Sequence, residues 1–287
     1  IRFHTPMKVL PFKIPKPGKE ALVYQEDHEL KFYDKLHEHE EIQISYIAKG
    51  SGSLLLGDTI NEYREGDILV IGEHVPHVFR SDDTATDKSV MYTLFFTKHS
   101  FGKEFFKLTE MSGIDGFFNE AENGMKITSN TDLLINKFSK LKNQSRIERL
   151  ASFLQILDLI QQSEKTPLSS FVYHKKYTDV EGKRMGDVYQ YTLDHFQENI
   201  TLDMIAEVAN MTKNAFCRYF KRRTNKTYLQ FLIELRIEHA CKLLYKEREL
   251  SVAAISELCG FQNIANFNRK FKELKHTTPS KYRLQVA

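Results

Sequence analysis

Long apolar runs are missing from this chain of 287 residues. A helix that crosses a bilayer needs about 20 consecutive apolar residues, and no stretch supplies them. Cysteine is scarce: Cys217, Cys241 and Cys259 are scattered, unpaired in motif and odd in number. That excludes a disulfide framework and fits a reducing compartment. The opening residues are mixed and carry Pro6, Pro11 and Pro15, unlike the basic-then-apolar order of a signal peptide. A cytoplasmic location is expected. No Ser-His-Asp arrangement, P-loop or dinucleotide fingerprint occurs, so the chain is not expected to be an enzyme of those classes.

What is present is globular in composition, with 41% hydrophobic and 28% charged residues. The length suits two domains. The formal net charge is only +3, but it is uneven. Residues 187–287 hold 16 Lys and Arg against 11 Asp and Glu, while residues 1–186 hold 25 against 27. The C-terminal third is the basic part, a mild hint of a polyanion partner.

From about residue 8 to 97, short runs rich in β-branched and aromatic residues alternate with turn residues. Ile42–Ile47, Ser53–Leu56, Ile68–Ile71 and Val90–Phe96 read as strands, with turns at Gly57-Asp58 and Gly66-Asp67. This spacing predicts an antiparallel sandwich or barrel. Two amphipathic helices follow over 131–165. Leu134, Phe138 and Leu141 mark the first, and Leu150, Phe153, Leu157 and Ile160 the second. Residues 166–186 are polar, contain Gly182 and Gly186, and read as a linker. The remainder, 187–287, is helical. The expected fold class is therefore α+β in two domains: a β-barrel domain over 1–130 with its following helices, and an all-α C-terminal domain.

That C-terminal domain repeats itself. Leu202, Ile205 and Ala206 recur 50 residues later as Val252, Ile255 and Ser256. After one inserted residue, Phe216, Arg218, Phe220 and Lys221 recur 51 residues on as Phe267, Arg269, Phe271 and Lys272. Each copy has the grammar of a helix-turn-helix: a short helix, a left-handed turn at Asn210 or Gly260, an N-cap at Thr212 or Asn263, and a second helix. The second helix buries its phenylalanines at i, i+4 and turns polar residues outward. Between the copies, Ile233, Ile237, Ala240 and Leu244 predict one long helix. Such a rigid pair can place two helices in successive major grooves, roughly 34 Å apart.

The string Ile255-x4-Gly260-Phe261-x5-Phe267-x-Arg269-x-Phe271-Lys272-x5-Thr278-Pro279-x2-Tyr282-Arg283 resembles the DNA-binding domain of the AraC/XylS family of bacterial transcription regulators. The family usually has Gly where this chain has Asn225 and His276, both places for a left-handed residue. The resemblance implies a sequence-specific regulator of transcription whose partners are double-stranded DNA and a small-molecule effector. It implies a DNA face of Lys213, Asn214, Cys217, Arg218 and Lys221 on the first recognition helix. On the second it implies Ile264, Ala265, Asn268, Arg269 and Lys272. Either arginine could read guanine, and Asn214 or Asn268 adenine; the competing role is a phosphate contact. Arg222, Arg223, Lys226, Lys270 and Lys275 are expected to hold phosphates or to form a solvated face.

In the N-terminal half, His37-x-His39-x3-Gln43-x6-Gly50 and Gly66-Asp67-x9-His77 resemble the two motifs of the cupin barrel. Side chains two apart on a strand share a face, so His37 and His39 should point together. In metal-binding cupins these positions are two His, a Glu and a third His. Here Gln43 replaces the Glu, and Gly72 and His74 stand where Pro and Gly are usual. His37, His39, Gln43 and His77 are expected to line an effector pocket, either metal-free or holding a divalent metal. Tyr46, Phe79 and Tyr92 are expected to be core. The helices over 131–165 resemble the family's dimerisation element, implying a homodimer; alternatively they only cap the barrel. The competing function is a metal-dependent cupin enzyme with an appended helical domain.

Overall fold

The structure is a computed structural model that describes residues 10–11, 20–82, 88–171 and 179–285. Residues 172–178, inside the expected linker, lie outside the described residues, as does the first part of the expected barrel. The described residues belong to two compact units, one up to residue 171 and the other from residue 179. Among them, no helix is long and apolar enough to cross a membrane.

The first unit contains eleven strands among its described residues: β1 (Leu10–Pro11), β2 (Val23–Glu29), β3 (His37–Glu38), β4 (Ile42–Lys49), β5 (Gly52–Leu56), β6 (Thr59–Tyr63), β7 (Ile68–Ile71), β8 (His77–Ser81), β9 (Ser89–Phe96), β10 (Met125–Ile127) and β11 (Lys165–Pro167). They form two sheets, one ordered β1-β3-β8-β5-β6 and the other β11-β10-β7-β4-β9-β2. Apart from the parallel β1–β3 pair, the ladders are antiparallel. The predicted strands over 42–96 are all present. β10 and β11 are too short, at three residues each, to show a period.

Alternation decides which side chains meet which core. On β4, Ile42 and Ile44 face outward with Ile68, Val70, Leu94 and Phe96, while Ile47 faces inward with Leu69, Ile71 and Met91. The outward face of the six-stranded sheet is covered by three helices: α1 (Ile114–Ala121), α2 (Thr131–Lys140) and α3 (Arg146–Gln162). Leu134, Phe138, Leu141, Phe153, Leu157 and Ile160, all but one of the positions that predicted these helices, are fully buried in this outer core, and the remaining one, Leu150, packs against it half-buried. Each such side chain contributes about 1.5–3 kcal/mol of transfer free energy. The apolar stripe of these helices is therefore used to cap the sheet. A capping box fixes the start of α3: Ser145 accepts from Glu148 N and donates its own N–H to the Glu148 carboxylate.

The chain leaves the sheet on a defined path. Ser169 Oγ donates to Asp58 Oδ1 at 2.6 Å, and the Ser170 and Phe171 N–H groups donate to the same oxygen. Asp58 lies in the turn between β5 and β6 and is buried. The expected linker is accordingly shorter than 166–186 at both ends. Its first residues belong to β11 and this docked segment, and its last belong to a helix, α4 (Asp179–His195). Gly182 and Gly186 suggested a break, but a helical Gly costs only about 1 kcal/mol. The stripe Met185, Val188, Tyr189, Thr192 and Leu193, all buried, outweighs it.

The second unit continues with α5 (Leu202–Val208), α6 (Lys213–Thr224), α7 (Tyr228–Lys246), α8 (Val252–Leu258), α9 (Ile264–Lys275) and α10 (Pro279–Gln285). The long helix α7 serves both copies. Tyr228 and Phe231 pack on Phe220 with ring centroids 5.5 and 5.7 Å away. Ile237, Ala240 and Leu244 pack with Ile255, Phe267 and Phe271. The turns of both copies are left-handed, at Asn210 (φ 51°) and Gly260 (φ 79°). A Cβ at Gly260 would stand 2.6 Å from the Gln197 carbonyl oxygen, so this turn requires glycine for space as well as for φ.

Candidate effector cavity and nucleic-acid interface

Between the two sheets lies a cavity of about 360 Å³, at the small end of ligand-sized pockets. The five-stranded sheet contributes His37 and His77, which sit opposite each other in the β3–β8 ladder. The six-stranded sheet contributes Gln43 from β4 and Met91 and Phe95 from β9. His39 enters from the short connection between β3 and β4. The sequence placed His37, His39, Gln43 and His77 together, and the structure brings all four to this cavity. Phe79 is core, as expected, and also lines the cavity; Tyr46 and Tyr92 pack on the helix-covered side instead.

The three histidines are held alike. His37 Nδ1–H donates to Lys35 O, His39 Nδ1–H to Glu41 O and His77 Nδ1–H to Val75 O, each at 2.8 Å. A neutral imidazole has one N–H. With that proton on Nδ1, each Nε2 presents a lone pair. Burial keeps the rings neutral. It pushes His37 down to about 4 and lowers His39, and it holds His77 well below the usual imidazole range, helped by the neighbouring His37 and His39. Ring centroids are 4.2 Å apart for His37–His77 and 5.1 Å for His39–His77.

The Nε2 atom of His77, a fully buried residue, has no hydrogen-bond partner among the described residues. His39 Nε2 stands 3.2 Å from the Gln43 side-chain amide, whose other end meets Ser45 Oγ, which in turn meets Thr93 Oγ1. With its proton on Nδ1, His39 Nε2 is an acceptor here, and the Gln43 amide satisfies it by turning its N–H toward the ring and its oxygen toward the Ser45 hydroxyl. An unpaired buried polar atom costs about 1–3 kcal/mol, so this cluster is built for an electron-pair acceptor. A ligand hydroxyl or a metal cation would meet it. The donor set fits a divalent transition metal: the ligating atoms of His37, His39 and His77 lie within 4.8 Å of one another, and each ring is oriented by a backbone carbonyl, as metal-bound histidines are.

One wall of the cavity was not read from sequence. Gln25, Asp27 and Glu29 alternate along β2 and line the cavity with Lys31. Burial raises the Asp27 carboxyl above its ordinary range. The only signal was the period of two, and it was hidden because the intervening Glu26 and His28 are polar as well.

The second unit presents two exposed helix faces. On α6, Lys213, Asn214, Arg218 and Lys221 are exposed and Cys217 is half-buried, opposite the buried Phe216 and Phe220. On α9, Ile264, Ala265, Asn268, Arg269 and Lys272 are all exposed, opposite the buried Phe267 and Phe271. Each set spans i, i+1, i+4, i+5 and i+8, which is one helix face. Lys213 pairs with Asp203 at 2.7 Å. Arg269 is held by Glu273 at 2.9 Å and Asn266 at 2.8 Å. Among the expected phosphate contacts, Arg223 departs: it is buried and donates to Glu181 of α4. Lys226 pairs with Glu234, Lys270 with Glu273 and Lys275 with Glu238. Arg222 stays exposed.

Residues 18–96 match the family described as AraC-like ligand binding domain, and residues 205–285 match the helix-turn-helix domain family. Similar whole chains include the uncharacterized HTH-type transcriptional regulator YdeC of Bacillus subtilis (strain 168). It is 24% identical over 260 residues, covering 88% of this chain and 86% of that protein. An uncharacterized HTH-type transcriptional regulator of Staphylococcus aureus (strain COL) is 23% identical over 272 residues, covering 92% of this chain but 34% of its own length. This chain thus spans about a third of the staphylococcal relative. The C-terminal domain of AraT, a response regulator from Geobacillus stearothermophilus, is 28% identical with a TM-score of 0.33, covering 34% of this chain and 81% of that one.

Proposed function

Because this chain belongs to the AraC family of helix-turn-helix transcriptional regulators, with a ligand-binding domain ahead of its DNA-binding domain, we propose that a small molecule or ion seated among His37, His39, Gln43 and His77 controls how α6 and α9 engage DNA. The carrying observation is that one unit holds a buried cavity lined by histidines and the other carries two helix-turn-helix copies whose second helices each expose one face. In this reading α6 and α9 enter successive major grooves. Arg218 and Arg269 read guanine edges, while Arg222, Lys221 and Lys272 hold phosphates. The effector controls binding to the extent that its affinity differs between the two arrangements of the protein. A homodimer would double the DNA contacts and steepen the salt dependence. Leu133 on α2 and Ile147 on α3 are exposed and available for its interface.

Regulation is the stronger reading than a barrel enzyme, because both matched families are those of regulators and the C-terminal repeat has no part in barrel chemistry. The test is capture of sheared genomic DNA by the purified chain at moderate salt, followed by sequencing. Enrichment of a few promoter fragments is expected. Uniform recovery of all fragments, with and without divalent metal, would overturn sequence-specific regulation.

A further inference from the structure

We propose that the barrel cavity selects a small organic cation, its ammonium held by Asp27 and Glu29 and its hydroxyl donating to His77 Nε2. This deepens the effector reading above and rests on it. The cavity lies between the two sheets, and its polar groups are divided between them. On the six-stranded sheet, Asp27 and Glu29 stand two apart on β2, share a face and line the cavity. β2 is the last strand of that sheet, and Glu29 is exposed, so the carboxylates stand at the open side. On the five-stranded sheet, His77 is fully buried and its Nδ1–H is spent on Val75 O at 2.8 Å. Its Nε2 has no hydrogen-bond partner among the described residues; with Nδ1 protonated, that atom accepts and cannot donate. The cavity thus offers negative charge at its mouth and a lone pair in its interior.

The charge of the lining decides the class of ligand. Two carboxylates, Asp27 and Glu29, stand against one lysine, Lys31, and burial keeps the histidines neutral. A carboxylate ligand is repelled by this balance. A neutral polyol would satisfy His77 and leave Asp27 as it is. Gln25 Nε2 donates to Asp27 Oδ1 at 2.8 Å, yet burial, with Glu29 beside it, still raises the Asp27 carboxyl. An ammonium group offsets that cost, because a nearby opposite charge favours the ionised carboxyl. The hydrogen bonds so formed are charge-assisted, about twice as strong as neutral ones. The body of the ligand is apolar. Asp27 lies directly opposite Met91 in the β2–β9 ladder, so the two share a face, and Phe79 and Phe95 line the same cavity. An aryl or short alkyl body fills that space.

The full chain, with a chelator present to exclude metal ions, is titrated with two trios of compounds that differ in the charged group at one end. One trio is p-hydroxybenzylamine, p-hydroxybenzyl alcohol and p-hydroxybenzoate; the other is aminobutanol, butanediol and hydroxybutyrate. Calorimetry and the rise in Tm report binding. In at least one trio the amine should bind about 10-fold or more tighter than the alcohol, with the carboxylate weakest. Benzylamine, which lacks the hydroxyl for His77, should bind about 3–10-fold more weakly than p-hydroxybenzylamine. Asp27→Asn should remove the preference for the amine. Glu26→Gln, one residue away on the opposite face of β2, should leave it. An alcohol or carboxylate that binds as tightly as its amine overturns the cation assignment and leaves the effector reading standing. An amine preference that persists in folded Asp27→Asn does the same, and silence of every compound also overturns the assignment. DNA affinity measured with and without the bound amine separates the two claims. An amine that binds without changing DNA affinity leaves the site standing and removes its regulatory role.

Discussion

The two helix-turn-helix units have matching cores and opposite chemistry at the last turn of the recognition helix. Phe216 and Phe220 in the first unit, and Phe267 and Phe271 in the second, are all fully buried. Beyond them the units diverge. Arg222 corresponds to Glu273, and Arg223 to Leu274. Arg223 is 5% exposed, whereas Leu274 is 38% exposed, the reverse of what hydropathy alone expects. The reason is a neighbour. The first turn of α4 meets the end of α6: the Arg223 guanidinium pairs with Glu181, and the Tyr219 hydroxyl donates to the Glu181 carbonyl. The corresponding turn of α9 faces outward. A repeated scaffold thus preserves its apolar core and lets the surroundings reassign each remaining position.

The sharpest test of that contrast is truncation at the two corresponding sites. Removing one partner of a buried ion pair costs about 3–5 kcal/mol. Glu181 is about a quarter exposed, so water recovers part of the loss, and Arg223→Ala should cost about 2–3 kcal/mol of unfolding free energy. Leu274→Ala should stay within about 0.5 kcal/mol. Urea unfolding followed by circular dichroism measures both. Equal effects would mean that α4 does not hold the first unit as described.

The two candidate guanine readers differ in their tethers. Arg269 is held by Glu273 and Asn266, whereas the residue four positions beyond Arg218 is the like-charged Arg222. Arg269→Ala should weaken specific binding by about 1–3 kcal/mol and leave nonspecific binding nearly intact. Equal loss on specific and random DNA would make Arg269 a phosphate contact. Arg222→Ala should act the other way, lowering affinity on every sequence and reducing the salt slope by about 1.

The helix starts also differ. The Asn263 side chain accepts from the N–H groups of Ala265 and Asn266 at 2.7 and 3.2 Å; Thr212, at the equivalent N-cap, makes no side-chain cap bond. Asn263→Ala should therefore cost about 1 kcal/mol, and Thr212→Ala a few tenths at most. A larger loss at Thr212 would show that the two caps are equivalent in solution.

The repeat was legible because its signal is apolar spacing, which survives divergence: residues 50 or 51 apart fill equivalent cores. The strands over 42–96 and the helices α2 and α3 were legible for the same reason. The cavity histidines were legible as a motif, but their common tautomer was not, since it depends on the carbonyls of Lys35, Glu41 and Val75. α1 was missed because Ile114–Ala121 is a single short stretch interrupted by Gly116. The burial of Arg223 was invisible in principle, because nothing near it in sequence names Glu181, 42 positions earlier.

The smallest contrast lies at the two C-caps, where both units turn left-handed, Asn225 at φ 57° and His276 at φ 56°. Left-handed backbone costs an L-residue about 1–2 kcal/mol, less for Asn, whose short polar side chain can bond locally. Glycine removes that strain but gives the unfolded chain more freedom, so the gains are partial. His276→Gly should stabilise the second unit by about 0.5–1 kcal/mol, and Asn225→Gly should change the first by a few tenths or less. The difference in urea midpoint between the two variants measures it. Were His276→Gly neutral or destabilising, the exposed imidazole must make up the strain at that turn, and the two C-caps would differ in more than the identity of their residue.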